Sequence, residues 1–551
     1  MLTRTTTTTL LSAALLGCAA GAAAQIVPGA VPGTFQGPSS SQTPYVVPAP
    51  GAPGWETIAI ISAGDSAMNN GYVMVGIPDG LGALAGRVEA GRTVADRQYM
   101  TVFMNHEIPA GGGIARAHGQ NGAFVSQWTV QLNTLQVKRG EDLIRDVYSW
   151  DSATSQYVFD PTAQFSRFCS ADLPALTAFY NPRTGRGFPE RIFMNGEESG
   201  IEGRAFAHVL TGPDKGTSYQ LAHLGRFSWE NSVAHPNAGD KTLVVGLDDS
   251  TPGQVYLYVG DKRGTGNAVE RAGLVGGRLF GLKVTDGGAN YGSAPVTREN
   301  NGPINGTFGL VDVSDVAVGS GADLQAASVV RQITEFARPE DGSWDTRDPR
   351  VFYFVVTGAR IDGSGQSARL YKLTFNSIVD PTGGTIELVV DRASLTPPGQ
   401  TEPLFAQFDN ITVAGDGSVL VQEDPGNTPY IAKTWIVDPD TNTATAILQS
   451  DPARFAPPAP APFNIDEESS GIIEVTELVR SARWYEHGRR YFLADLQAHY
   501  SIPGELYEGG QLYLIASPRR HAGRHGDRRD DDGRHGFDGS DARGGRERQD
   551  N

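Results

Sequence analysis

Residues 405–424 read FAQFDNITVAGDGSVLVQED, and their pattern decides the fold class. An apolar run meets a Gly-Asp-Gly turn, a second apolar run follows, and that run stops at the adjacent acids Glu423 and Asp424. Gly and Asp tolerate the positive φ that tight hairpins need, so the stretch reads as two antiparallel strands. The plan recurs: VFMNHE (102–107), IFMNGEES (192–199), LVVGLDDS (243–250) and FNIDEESSGIIEV (463–475) each set an apolar strand against acids. YLYVG (256–260) and LYKLTF (370–375) alternate as strands do. No strand–helix alternation and no Gly-rich phosphate loop occurs, which excludes a doubly wound nucleotide-binding sheet. The expected fold is all-β, a six-bladed β-propeller over residues 55–517, with five or seven blades as the alternatives. Glycine fits that expectation: 68 of 551 residues supply many tight turns.

The two ends read differently from this body. Arg4, the apolar run Leu10–Gly17 and Ala22-Ala23-Ala24 before Gln25 form a leader for export over residues 1–24, too short to span a bilayer. Leu15-Leu16-Gly17-Cys18 also fits a lipoprotein cleavage site, with Cys18 as the acylated residue. Residues 25–54 are rich in Pro, Gly and Ser and read as a linker or extended arm, from which Tyr45-Val46-Val47 could add a strand. Residues 518–551 mix Arg, His, Asp and Gly with almost nothing apolar and read as a disordered charged tail. A periplasmic or extracellular place follows. Cys18 and Cys169 are the two cysteines, so removal or acylation of Cys18 leaves Cys169 without an intramolecular partner. No later segment is long enough to cross a membrane, and the chain reads as a monomer. The net charge of −17 belongs to the body and argues against nucleic acid as a partner while admitting divalent cations.

The acids carry the chemistry. Glu197, Glu198, Glu230, Asp248, Asp249, Glu340, Asp341, Asp409, Glu423, Asp424, Glu467 and Glu468 all flank apolar strands. One such residue is an ordinary turn. In a propeller, however, corresponding strand ends converge on the mouth of the central channel. Carboxylates gathered there repel one another unless a cation intervenes, and Ca²⁺ takes six to eight oxygen ligands. A metal site at the channel mouth is therefore expected, with the Glu197-Glu198 pair in it. Arg338, in F-A-R-P-E, either pairs with these acids or holds a phosphate oxygen through its planar fork. Cys169 is either a small buried apolar residue or a thiolate ligand to a transition metal. His106, His235 and His499 are open between ligand, base and structural roles, and Asp438, Asp440 and Asn442 read as a hairpin turn.

These residues, in order, resemble the PhoX-type alkaline phosphatases, exported phosphomonoesterases on a β-propeller with an iron–calcium cofactor. The resemblance runs from about residue 70 to 500. It rests on Asn105-His106-Glu107, Glu197-Glu198, Gly225 to Glu230, Asp248-Asp249, Arg338-Pro339-Glu340, Glu468 to Gly471 and Gln497-Ala498-His499. It implies Glu197, Glu230, Glu340 and Glu468 as metal ligands, Cys169 as a ligand to Fe³⁺, Ca²⁺ alongside it, Arg338 on the phosphate, and a phosphate ester as substrate. The sequence departs from the family at Trp229, where His is expected, at Gln497-Ala498-His499 for Gln-His-Pro, and before Glu197, where RTGRGFPER replaces Thr-Pro-Trp-Gly. Two other readings stand beside it. Residues 408–424 are also similar to the calcium-carrying strands of lactonase-like propellers, and the fold could serve as a calcium-stabilised binding module.

Overall fold

The computed structural model describes residues 25–89, 92–358, 368–395 and 407–519. The leader and all but the first two residues of the charged tail lie outside the described residues.

Six strands stand side by side around a central axis: β1 (Pro78–Ala85), β2 (Phe168–Asp172), β3 (Trp229–Ala234), β4 (Pro339–Trp344), β5 (Phe408–Val413) and β6 (Glu467–Glu474). Each neighbours the next, and β6 returns to β1. From each, a sheet runs outward whose first four strands are antiparallel. That of β1 continues through Tyr99–His106, Phe124–Gln131 and Gln136–Asp142. The sheets of β3 and β4 share one continuous ladder because Gly306–Asp312 joins their outer strands. We infer six blades from this order. The molecule is a β-propeller, as the alternating strands and Gly-rich turns imply.

The ring is closed by residues from both ends of the body. In the blade of β6, Tyr491–Ile502 and Tyr507–Ala516 are followed outward by Glu56–Ser62, antiparallel to Tyr507–Ala516. The arm is not a free linker: Val46–Pro48 pairs with Thr443–Ser450 at the outer edge of the blade of β5, and Thr34–Gln36 runs parallel to Glu56–Ser62. The apolar core lies between blades rather than at the axis. Trp229, Phe227, Tyr256 and Met194 pack together between the blades of β2 and β3, and Leu81, Met104, Leu493 and Leu512 between those of β1 and β6.

All six inner strands carry a register irregularity near their first residues, between Asp79 and Leu81, Phe168 and Ala171, Trp229 and Asn231, Pro339 and Gly342, Phe408 and Ile411, and Ser469 and Ile472. A bulge of this kind breaks the ladder locally and re-aims a side chain. Inner strands also approach closely. A Cβ on Gly80 would stand 2.4 Å from the backbone nitrogen of Ala171, so glycine is required there.

Candidate metal centre

Two rings of side chains meet at the channel mouth, and ladder register defines both. The second residue of each inner strand forms the first ring: Asp79, Cys169, Glu230, Glu340, Asp409 and Glu468. The first residue of each inner strand pairs with a residue on the next strand out: His106, Glu197, Asp248, Val356, Glu423 and Ala498. The residue after each partner forms the second ring: Glu107, Glu198, Asp249, Thr357, Asp424 and His499. Side chains alternate along a strand, so the partner and the ring residue point to opposite sides.

The contacts follow this plan. The thiol of Cys169 donates to Asp79 Oδ2 at 3.3 Å. Gln497 Nε2 reaches three acids, Asp79 Oδ2 at 3.1 Å, Glu107 Oε2 at 2.8 Å and Glu468 Oε1 at 3.2 Å. Ser170 Oγ donates to Glu230 Oε1 at 2.6 Å, and the Thr357 hydroxyl donates to Glu340. His499 lies 3.7 Å from Glu468 and 2.8 Å from Glu508. Arg338 makes a two-pronged pair with Asp249, Nε to Oδ1 at 2.8 Å and Nη2 to Oδ2 at 2.9 Å, and reaches Glu340 at 3.0 Å. The residue before Pro339 normally takes an extended backbone, yet Arg338 sits at φ +60, a left-handed position that aims its guanidinium into the acids.

So many buried carboxyls cannot all be charged. Burial first, and then the neighbouring acids, push Asp79, Glu230 and Asp409 well above the usual carboxyl range. Burial does the same to Glu340 although Arg338 pulls the other way. Burial, then Asp79 and Glu230, push the Cys169 thiol well up. Burial also raises Asp249, but the charge and hydrogen bonds of Arg338 outweigh it and hold this carboxyl below its ordinary value. The acids need either protons or cations. Two groups bring their ligand atoms within 4.8 Å of one another, Asp79–Glu107–Cys169 and Glu230–Asp249–Glu340. The donor set fits metal ions: hard carboxylate oxygens throughout, one sulfur, and Asp409 Oδ1 buried with no hydrogen-bond partner.

The expected site residues divide along the strand alternation. Cys169, Glu230, Glu340, Glu468 and Glu198 come together at the mouth, with Arg338 among them. Glu197 does not join them. Its side chain turns to Arg204, which donates from Nε to Oε2 at 2.7 Å and from Nη2 to Oε1 at 2.6 Å, while Ser166 N donates to Oε1 at 3.2 Å. Both its oxygens are engaged in the blade, and we leave Glu197 out of the ligand set. Asp248 and Glu423 are the equivalent partners in other blades, and Glu467 is the first residue of β6, whose partner is Ala498. They are tied to Ser250 and Gln254, to Trp435 and Lys433, and to Ala432 respectively. Asp341 lies deeper in the channel, where Asn231, Gly342 and Ile411 donate to it. His106 stacks on Phe124 and bonds to Gly76 and Ser126, a structural role. His235 likewise binds Pro349 O and packs on Trp344. Trp229 stacks on Phe227 and fills the space above Gly196.

Two ring residues and an arginine paired with the rings carried no clear signal in sequence. Asp79 lies in Pro78-Asp79-Gly80, which reads as an ordinary turn. Glu107 is visible in Asn-His-Glu, but nothing local separates it from a solvated strand end. Arg167 stands in an unremarkable Ser-Arg-Phe-Cys.

Among solved structures, the chain is similar to Pseudomonas fluorescens PhoX in complex with vanadate, a transition-state analogue. That similarity has 13% identity and a TM-score of 0.58 over 90% of this chain and 98% of that one. At this identity the shared feature is the fold, which is PhoX-like. A 6-phosphogluconolactonase-like structure from Bacteroides fragilis is similar at 10% identity and TM-score 0.24, covering 63% of this chain and 94% of that one. No family model and no curated protein matches the chain.

Proposed function

We propose that the protein is an exported, metal-dependent phosphomonoesterase. The observation that carries this reading is a left-handed arginine, Arg338, inserted among two rings rich in buried acids that need protons or cations. Asp79, Glu107 and Cys169 would hold one ion, Glu230, Asp249 and Glu340 another, and Asp409, Asp424 and Glu468 supply further oxygens; Ca²⁺ suits the carboxylates, and the thiol of Cys169 suits Fe³⁺. Bound there, these ions supply Lewis-acid polarisation of phosphoryl oxygens and offset charge that develops in the transition state. Arg338, held by Asp249 through Nε and Nη2, turns its remaining nitrogen, Nη1, to a phosphoryl oxygen with little reorganisation. Gln497 fixes three acids through one amide, and Thr357 and Ser170 orient Glu340 and Glu230. The vanadate held by the fold-related Pseudomonas protein supports the same reading. A lactonase-like site asks for a single calcium, and the two rings carry more donors than one ion takes.

The test is hydrolysis of a chromogenic phosphate monoester by the purified chain supplied with Ca²⁺ and Fe³⁺. The expected result is turnover that a chelator abolishes and added metal restores. Metal-loaded protein with no turnover would overturn the reading.

A further inference from the structure

Arg338 occupies the position immediately before inner strand β4, with φ +60. The corresponding position before β2 is Arg167, also left-handed at φ +48. Between these blades lies that of β3, which contributes Glu230 and Asp249. Arg167 Nη2 pairs with Glu107 Oε1 at 2.7 Å and with Glu198. Glu198 in turn faces Asp249 closely enough for the two carboxyls to perturb each other, and Asp249 is the residue that grips Arg338. Two guanidinium groups therefore flank one carboxyl pair from opposite sides of a blade. Both ion pairs of Arg167 run through Nη2, and its side chain is 46% exposed against 22% for Arg338. Ile77, before β1, is left-handed too at φ +40, so this conformation recurs at three of the six equivalent positions, and at two of them the residue it aims at the mouth is an arginine.

From this geometry we propose that Arg167 is a second oxyanion-binding residue, taking a non-bridging oxygen of a phosphate monoester dianion across the ring from Arg338. The inference rests on the phosphatase reading and names what that site selects, a doubly charged terminal phosphate. Glu107 is claimed twice, by Arg167 and by the Asp79–Glu107–Cys169 group. A cation at that group draws on the charge of Glu107 and leaves Arg167 N–H free for the incoming oxygen. Two fixed guanidinium forks favour a dianion over the single charge of a diester.

The experiment compares the metal-loaded full chain with Arg167→Gln and Arg167→Lys. It reads inhibition by inorganic phosphate, kcat/KM on a phosphate monoester and on a diester, and metal content by elemental analysis. Losing one charge-assisted contact should weaken phosphate inhibition and monoester kcat/KM about 10- to 100-fold in Arg167→Gln. The diester should change less than about 3-fold, Arg167→Lys should fall between, and metal content should be unchanged. Failure of Arg167→Gln to fold leaves the decision to Arg167→Lys, which keeps the charge and loses the fork. Phosphate inhibition equal to wild type in the folded variants, or loss of metal with loss of activity, overturns the proposal. A wild type that turns over monoesters beside an unchanged Arg167→Gln overturns this inference alone. A wild type that neither binds phosphate nor hydrolyses monoesters overturns the phosphatase reading and this inference with it.

Discussion

Stripping the protein of metal should make its stability fall as pH rises from 6.5 to 8, the reverse of ordinary acid denaturation. The sign comes from which groups titrate there. A carboxyl whose folded pKa lies above its unfolded value stabilises the fold below the unfolded pKa, and that contribution is lost as pH rises through the folded pKa. Glu467, fully buried, is pushed up to about 8, chiefly by burial. From pH 6.5 to 8 it forfeits roughly 1.5 units at about 1.4 kcal/mol each, or about 2 kcal/mol. Asp79, Glu230, Glu340 and Asp409 are raised well above their usual range and change in the same direction. The opposing groups are nearly spent in this window, each lowered histidine adding only about 0.4 kcal/mol as its unfolded form loses its last half proton. His106, His118 and His208 are lowered by burial to about 3, 4 and 3, so their gain in stability with pH is complete near their unfolded value of about 6.5. The lowered surface acids, such as Asp160 and Asp312, have finished titrating at lower pH. At an unfolding entropy of ~2.1 cal/mol/K per residue, a body of roughly 450 residues shifts its Tm by about 1 °C per kcal/mol. Glu467 alone then accounts for about 2 °C, and the ring acids should bring the fall to about 5 °C or more. The assay is a pair of melting curves in chelator at pH 6.5 and 8, repeated with saturating Ca²⁺. Bound cation replaces the protons, so the loaded protein should melt higher at both pH values and lose the downward slope. A stripped protein, its metal loss verified, whose Tm is flat or rises over this window would refute the claim that the mouth holds uncompensated buried carboxyls.

Three further outcomes are expected. Protein purified without chelator should contain iron and absorb visible light through sulfur-to-iron charge transfer, and Cys169→Ser should abolish both; a colourless, iron-free wild type after refolding with ferric and calcium salts would refute the thiolate ligand. Arg338→Lys keeps the charge but loses the fork gripping Asp249, so phosphate inhibition should weaken about 10-fold or more with calcium content unchanged; equal inhibition would remove Arg338 from the substrate. Arg204→Ala strands Glu197 in the blade and should cost about 3–5 kcal/mol in denaturant unfolding while leaving metal content intact; metal loss in the folded variant would return Glu197 to the ligand set.

The local pattern of the chain determined a good deal on its own. Alternating apolar runs closed by Gly-Asp turns are properties of short segments, and they specify hairpins whatever surrounds them. Acids recurring at strand ends then imply a convergent, cation-demanding mouth, because only a radial arrangement of blades makes those ends meet. Doublets such as Glu197-Glu198, Asp248-Asp249, Glu423-Asp424 and Glu467-Glu468 were visible as doublets and no further. Which member faces the channel depends on ladder register, and shifting a strand by one residue exchanges its two faces. The structure decided it. Glu198, Asp249 and Asp424 take the second ring and Glu468 the first, while Glu197, Asp248, Glu423 and Glu467 turn into their blades toward Arg204, Ser250, Trp435 and Ala432. Asp79 and Arg167 entered the site the same way. Nothing in Pro-Asp-Gly or Ser-Arg-Phe announces a place at the channel mouth, and only closure of six strands about one axis sets them beside residues hundreds of positions distant in the chain.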